Sequence, residues 1–319
     1  MYLRYVSKDI YTHDTYGIYV GNMTCKFCGS ESVVKNGTVA LKQVYKCREC
    51  GHGFFDNQQF ARMKVGKHVI VAALNLYFDG LSVRKTQKEL KKLIGEEVSG
   101  ATIWRWVQKY SKLVSAYVAK ANTPSLSGKW HEDETMVKCE GRDAWVWEMI
   151  DEETRFLVAS HLSGTRTFED TVKVFQKGMD TAKARPRAVF VDGSYVYGSA
   201  FNRVFYSRYK VDKVELVQRV GIRARQTNNI VERLHETLKE RTRPMRGFKR
   251  MESARNFVDG YTVNYNYVRE HQSIKMTPAQ KAGIQVGNGW SELIESAIKQ
   301  DTKVEIQQAQ KVAPVIEVR

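Results

Sequence analysis

The chain has 319 residues, enough for two or three domains, and 51 Lys and Arg against 35 Asp and Glu give it a formal net charge of +16. This positive charge favours an anionic polymer as partner, through electrostatic steering and counterion release. The sequence lacks the run of ~20 apolar residues that a bilayer-spanning helix needs. It also lacks a signal-peptide pattern. We therefore expect a cytoplasmic protein with no membrane partner.

Residues 1–20 form a tyrosine-rich N-terminal extension without an assigned role, and residues 21–57 contain two C-x-x-C pairs 18 residues apart. The paired cysteines are Cys25, Cys28, Cys47 and Cys50. Each pair is followed by a glycine, and Asn36-Gly37 between the pairs predicts a hairpin turn. Two such pairs complete a tetrahedral site, so we predict a zinc ribbon with structural Zn²⁺. The alternatives are coincidence and a redox pair.

Residues 62–115 predict three helices. Apolar spacing and an N-cap at Ser82 place them near residues 65–78, 83–93 and 101–112. The third helix has a polar outer face, whose predicted DNA contacts are Arg105, Lys109 and Lys112. Short helices followed by a helix with a basic outer face are typical of a helix-turn-helix domain, whose last helix enters the major groove. The alternative is a plain three-helix bundle with a solvated charged face.

After a linker near residues 121–128, the composition of residues 126–284 shifts towards an α/β domain. Strands are predicted near residues 130–138, 144–150, 155–161, 188–191 and 214–217. Helices are predicted from residues 167, 196 and 228. The order is three antiparallel strands and a helix, followed by alternating strands and helices. This is the element order of an RNase H-like domain with a mixed five-stranded sheet. The C-terminal tail, residues 285–319, is predicted as a short helix and a β-like segment without an assigned role.

Three carboxylates occupy related places on these elements. Asp133 lies in the first strand, Asp192 follows the apolar strand, and Glu232 lies in the first turn of the last helix. The two strands are neighbours in an RNase H-like sheet, so we expect both aspartates at one sheet edge with Glu232 completing the site. Hard oxygen ligands suit two Mg²⁺ or Mn²⁺ ions, which act on phosphodiesters.

Each carboxylate also has a structural interpretation. Asp133 lies between Glu132 and Glu134, and strand alternation places it on the opposite face from both. Asp192 precedes a glycine and fits a strand-end turn, while Asn229 and Glu232 fit a capping box.

Further along the same helix, His235 and Lys239 fall on the Glu232 face. His235 is predicted to orient a phosphate or to lie beside Glu232. The basic residues of this region that we predict to contact DNA are Lys239, Arg241, Arg243 and Arg246.

On these residues, the segment 130–283 resembles insertion-sequence transposases of the DDE, integrase-related superfamily, closest to the insertion-sequence-six group. The motifs lie at residues 130–135, 191–193, 228–235 and 239–248. The resemblance implies a catalytic triad of Asp133, Asp192 and Glu232, with Lys239 as the basic residue that follows the glutamate. The 39 residues between Asp192 and Glu232 are more than is usual for that group.

The resemblance further implies metal-dependent cleavage at the 3′ ends of a transposon and strand transfer into target DNA. It implies a homodimer associated with a prokaryotic nucleoid. Two other interpretations stay open: an RNase H-fold nuclease without strand transfer, and a DNA-binding regulator whose catalytic domain is retired. The intact triad and Lys239 argue against the regulator.

Overall fold

The computed structural model describes residues 13–14, 17–18, 23–39, 42–55, 60–61, 63–120, 123–209, 212–218 and 229–312. The predicted basic loop at residues 219–226, the first linker residues and most of the N-terminal extension lie outside these ranges. The chain divides into two compact units, Met1–His68 with Ile294–Arg319, and Val69–Leu293. In the described ranges no helix has the length and apolar character needed to cross a bilayer.

The first unit contains a two-stranded and a three-stranded antiparallel sheet. Its strands are β1 (His13–Asp14), β2 (Gly17–Ile18), β3 (Val33–Val39), β4 (Lys42–Cys47) and β5 (Gly53–Phe55), with β4 at the centre of the larger sheet. The hairpin of β3 and β4 is present, but the prediction of an Asn36-Gly37 turn is wrong. These residues lie within β3, where the pairing register shifts and Gly37 has φ +73°. A β-bulge uses the left-handed conformation of glycine as readily as a turn does.

The second unit begins with three helices, α1 (Lys67–Phe78), α2 (Val83–Ile94) and α3 (Gly100–Val118). Ser82 caps α2 as predicted, and its side chain accepts a hydrogen bond from the backbone N–H of Lys85. Helix α3 ends six residues later than predicted. It packs against α7 (Met251–Val263), so the three helices and the α/β sheet form one compact unit.

The sheet of this unit has five strands, β6 (Lys129–Cys139), β7 (Arg142–Asp151), β8 (Leu157–Ser163), β9 (Ala188–Val191) and β10 (Glu215–Gln218). Their order is β10-β9-β6-β7-β8. The first three strands pair antiparallel, and β9 is parallel to both β6 and β10. This arrangement confirms the predicted RNase H-like fold. All four side chains of β9 are buried, as expected of a central parallel strand.

Helices flank the sheet: α4 (Phe168–Ala182), α5 (Tyr195–Phe205) and α6 (Asn229–Thr242) precede α7, and α8 (Pro278–Lys281) follows it. A capping box starts α4, where Asp170 accepts hydrogen bonds from the side chain and the backbone N–H of Thr167. The C-terminal segment is one helix, α9 (Gly289–Val312), which crosses from the second unit into the first. This helix is longer than the predicted short one, and residues 313–319 of the predicted β-like tail lie outside the described residues.

The longest strand of the sheet, β6, is only partly covered. It pairs with β9 over Lys129, Trp130 and His131, and Phe248 joins it again beside Cys139. Between these points no described strand pairs with the β9 side of β6, along residues 132–138. This open edge of β6 leaves room for side chains of α6 and of the β9 end to approach the strand.

Candidate active site

The open edge of β6 begins at a cluster of carboxylates. Oxygen atoms of Asp133, Glu134 and Asp192 all lie within 4.8 Å of one another. Asp192 directly follows β9, and its Oδ1 accepts a 2.8 Å hydrogen bond from the backbone N–H of Ser194. The parallel pairing of β6 and β9 thus brings together the two aspartates that the sequence placed on neighbouring strands.

The third acid of this cluster is Glu134, which the alternation argument had assigned to the opposite face. Its carboxylate accepts a hydrogen bond from the hydroxyl of Tyr197 and forms an ion pair with Arg166. Arg166 lies over the ring of Trp145, and its Nη2 is 4.0 Å from Oδ2 of Asp192. Because no described strand pairs with the β9 side of β6 at this point, a side chain of the second face can approach the cluster at the open edge.

Glu232 lies in the first turn of α6, and its side chain is exposed. Its negative charge contributes to raising the pKa of Asp133, so it acts on the cluster electrostatically. Its carboxylate does not belong to the 4.8 Å group that the described residues form. The prediction that Glu232 is the third ligand therefore stays a prediction.

The carboxylates at this edge repel one another. Burial, followed by the charge of Glu134, raises the pKa of Asp133 to about 7. Burial also raises the pKa of the neighbouring Glu132 well above its usual value, with further contributions from Glu134, Asp133 and Asp192. Hard oxygen donors that oppose each other's ionisation are a donor set that a divalent cation stabilises. The residues present therefore fit a divalent metal.

His235 was predicted to orient a phosphate or to lie beside Glu232. Its side chain is instead 4% exposed and points towards the sheet. Its Nδ1 lies 3.6 Å from Oδ2 of Asp133, and its Nε2 lies 3.6 Å from Oε2 of Glu148 on β7. Burial, followed by the charge of Lys239, lowers the pKa of His235 to about 4. Burial, followed by the charge of Asp133, raises the pKa of Glu148 to about 8. The sequence argument missed Glu148, because an acid within a strand carries no signal of its own.

The predicted basic residues of α6 separate into two groups. Lys239 is half-buried, and its Nζ is 3.3 Å from Glu236, which also pairs with the exposed Arg243 at 3.1 Å. Arg241 is 1% exposed, with its guanidinium 3.6 Å from the ring centroid of Tyr77. The prediction that Arg241 contacts DNA is therefore wrong, because its helix face is packed against α1.

A cavity of about 340 Å³ lies next to the open edge of β6. Its lining includes four basic side chains, those of Lys138, Lys239, Arg243 and Arg246. Met136 also lines the cavity and is 46% exposed. The predicted basic track, without Arg241, thus lines a cavity together with residues of β6 on the C-terminal side of the carboxylates.

On α3, the predicted DNA-contacting residues Arg105, Lys109 and Lys112 are exposed. The ammonium of Lys109 lies 5.2 Å from the ring centroid of Tyr110. Gln108, expected on the same outer face, instead accepts a 2.9 Å hydrogen bond from the side chain of Asn256 on α7.

The four paired cysteines converge in the first unit, with all four Sγ atoms within 4.8 Å of one another. The Sγ atoms of Cys25 and Cys50 are 3.6 Å apart, as are those of Cys28 and Cys47. A tetrahedral zinc site with Zn–S bonds of about 2.3 Å has sulfur atoms roughly 3.8 Å apart. The cysteines therefore fit zinc, and Ile298 and Ile306 of α9 pack against the same cluster.

Comparison with known proteins finds sequences similar to the segment that holds this site. Residues 127–271 match the family model for the DDE domain of IS240-type transposases. The chain is 28% identical over 94 residues to a transposase for the insertion sequence-like element IS431mec from Staphylococcus aureus, a match that covers 30% of this chain and 42% of the relative. It is 24% identical over 220 residues to the uncharacterized protein MJ0017 of Methanocaldococcus jannaschii, covering 67% of this chain and 92% of that protein.

Among solved structures, the HTLV-2 integrase catalytic core domain in complex with magnesium aligns with 12% identity and a TM-score of 0.36, over 51% of this chain and 99% of that one. A likeness this distant does not bear on the activity of the chain. The family match covers the whole carboxylate cluster, α6 and the open edge of β6, and a DDE domain implies divalent metal ions. Residues 127–271 therefore match a DDE domain of the type found in insertion-sequence transposases, which supports a phosphoryl-transfer enzyme.

Proposed function

We propose that the chain is a DNA transposase that binds the inverted ends of its element, cleaves at their 3′ ends and transfers them into target DNA. The observation that carries the proposal is the carboxylate cluster at the open edge of β6, within the segment that matches the DDE domain. The basic cavity beside it supplies a path for a phosphate backbone.

Asp133, Asp192 and Glu232 would hold two Mg²⁺ or Mn²⁺ ions. Such ions lower the pKa of water and stabilise negative charge on a phosphodiester. Glu134 is unsuited to the ligand role because Arg166 and Tyr197 already engage its carboxylate. The exposed side chain of Glu232 is free of ion pairs among the described residues and can turn towards Asp133.

The chain's own residues position the DNA. Lys239, on the side of α6 that faces the cavity, would bind a phosphate next to the scissile bond, and Arg243 and Arg246 would bind phosphates further along. In the first step water attacks the phosphorus at the end of the element and displaces the 3′ oxygen, which leaves a free 3′-OH on the element and a 5′-phosphate on the flanking strand. In the second, the freed 3′-OH displaces a 3′ oxygen of the target strand. Positioning carries both steps, so no covalent enzyme intermediate is needed.

End recognition is assigned to the N-terminal half. We propose a zinc ribbon at residues 21–57, with structural Zn²⁺ on the four paired cysteines, and a helix-turn-helix domain at residues 62–115. Arg105, Lys109 and Lys112 would contact DNA from the exposed face of α3. The catalytic domain would span residues 126–284, followed by a tail at residues 285–319. Joining two ends at once calls for a homodimer.

The experiment follows a labelled 3′ end of the element into an unlabelled target plasmid, with Mg²⁺ present. We expect wild-type protein to give joined products, and Asp192→Asn to give neither cleavage nor joining while it still binds the ends. Cleavage without joining by wild-type protein would identify a nuclease. End binding without cleavage would identify a regulator.

A further inference from the structure

Glu148 is a fully buried acid near the middle of the sheet, on β7. Its side chain has no exposed surface, and neither carboxyl oxygen has a hydrogen-bond partner among the described residues. Burying a polar group without a partner costs free energy that an apolar residue of similar size would avoid. The presence of an acid here therefore calls for a role other than packing.

The sheet register places Glu148 directly opposite Asp133 on β6. Directly opposed residues of an antiparallel pair project on the same face. Helix α6 packs against β6 and β7 and brings His235 to both acids. One ring nitrogen lies 3.6 Å from each carboxyl, slightly beyond hydrogen-bond length, so a small movement makes both contacts.

Another polar group near Glu148 is committed elsewhere. The negative charge of Glu148 contributes to raising the pKa of Tyr261, which shows that this phenol is close. The hydroxyl of Tyr261 donates to the backbone carbonyl of Leu234 at 3.3 Å. His235 is therefore the side chain placed to contact Glu148 and Asp133 together.

We propose that Glu148 and His235 are positioning residues for Asp133. Glu148 donates a hydrogen bond to Nε2 of His235, so that the proton of the neutral ring lies on Nδ1 and is donated to Oδ2 of Asp133. This leaves Oδ1 of Asp133 directed at the divalent cation. The inference rests on the proposed function, because it takes Asp133 as a metal ligand.

The physical basis is the general behaviour of metal-binding carboxylates. Partners that hydrogen-bond to a ligand fix its orientation, and loss of such a partner typically weakens metal affinity by 10- to 100-fold. Geometry supports the pairing, since Nε2 of His235 and both carboxyl oxygens of Glu148 are buried and have no other hydrogen-bond partner among the described residues. A neutral ring has one donor and one acceptor nitrogen, and its partners decide which is which.

The test measures Mn²⁺ binding to the full-length, zinc-loaded protein by electron paramagnetic resonance. Glu148→Leu has a similar volume and cannot donate a hydrogen bond, whereas Glu148→Gln keeps a donor at the same place. We expect Glu148→Leu to weaken Mn²⁺ binding by about 10- to 100-fold. We expect Glu148→Gln to restore affinity to within about threefold of wild type, by the same reasoning.

Three comparisons make the outcome decisive. Thermal unfolding of both variants shows that they are folded, and Glu148→Leu is expected to be at least as stable as wild type because it removes a buried polar group. Wild-type affinity in folded Glu148→Leu would overturn the positioning role and leave the transposase proposal intact. If Asp192→Asn binds Mn²⁺ as tightly as wild type, the metal site is not at this cluster, and both proposals fail.

Discussion

Arg241 on α6 holds its guanidinium 3.6 Å from the ring centroid of Tyr77 on α1, and both side chains are almost fully buried. The same guanidinium lies 5.8 Å from the ring centroid of Phe257 on α7. A residue that was predicted to belong to a basic DNA-binding track therefore joins the first helix of the predicted helix-turn-helix domain to the predicted catalytic domain. Its neighbour Arg243, two positions further on, is exposed and faces the cavity.

Arg241 and Arg243 form a matched pair with opposite expected behaviour. Arg241→Ala should destabilise the protein by roughly 3 kcal/mol, because it leaves a cavity and removes a desolvated cation–π contact. Arg243→Ala should change stability by less than about 0.5 kcal/mol. It should instead reduce the slope of log affinity against log salt by about 1, the value for one phosphate contact. Urea unfolding measures the stability effect, and DNA titration at several salt concentrations measures the phosphate contact. A stable Arg241→Ala variant with a reduced salt slope would show that Arg241 contacts DNA.

The two carboxylates that compete for the third ligand position give a second prediction. Glu232→Gln should lower cleavage by at least about 1,000-fold if it removes a metal ligand from the reacting centre. Glu134→Gln should cost less, because Glu134 is engaged by Arg166 and Tyr197 and its amide oxygen can still accept from one of them. Single-turnover cleavage and Mn²⁺ titration of both variants decide the matter. Loss of Mn²⁺ binding in Glu134→Gln alone would show that the cation uses the cluster as it stands in the structure.

Burial of Glu148 predicts a pH dependence of stability. Its pKa is raised from 4.5 to about 8, so the folded state binds a proton that the unfolded chain has lost. Stability should therefore fall as pH rises from about 4.5 to about 8, by up to a few kcal/mol from this group. Glu148→Gln cannot ionise and should flatten this part of the curve. Urea midpoints of both proteins between pH 5 and 9, without added divalent ions, test this; parallel curves would argue against it.

Zinc removal should separate the two halves of the proposed activity. Four converging thiolates supply much of the folding free energy of a small ribbon, so chelation should unfold it. Binding to the element's ends should weaken by at least tenfold, while salt-dependent, non-specific binding persists through the basic residues of the second unit. Fluorescence anisotropy with end and random duplexes gives the comparison, with Cys28→Ser as the matched variant. Unchanged binding to the element's ends would show that the zinc ribbon does not recognise them.

The contact of α3 with α7 depends on a glycine. A Cβ at Gly260 would overlap Ser111 and Phe78, both of which are buried. Gly260→Ala should therefore destabilise the protein by about 1–3 kcal/mol despite its better helix propensity. Ser111→Ala in the same protein should recover part of the loss, because it removes the nearest overlapping atom. Thermal unfolding of the single and double variants measures the coupling, and additive effects would contradict the close approach.

Several features of this chain follow from local patterns in its sequence. The spacing of cysteines determines a four-thiolate site because a C-x-x-C turn brings both sulfur atoms to one point. The strand and helix order determines the RNase H-like sheet, since a buried apolar run such as β9 is stable only as a central strand. That order also brings Asp133 and Asp192 together, because both lie on adjoining strands at known positions.

The tertiary structure decides which side chains near those residues are available. Alternation along β6 excluded Glu134 from the site, but no described strand pairs with the β9 side of β6 beyond His131, so this edge is open to side chains of both faces. Helical spacing put His235 and Arg241 on a DNA-facing surface, whereas the packing of α6 against the sheet, α1 and α7 buries both. Sequence periodicity specifies which residues share a face of a helix. Only the elements packed against the helix determine which of its faces is exposed to water.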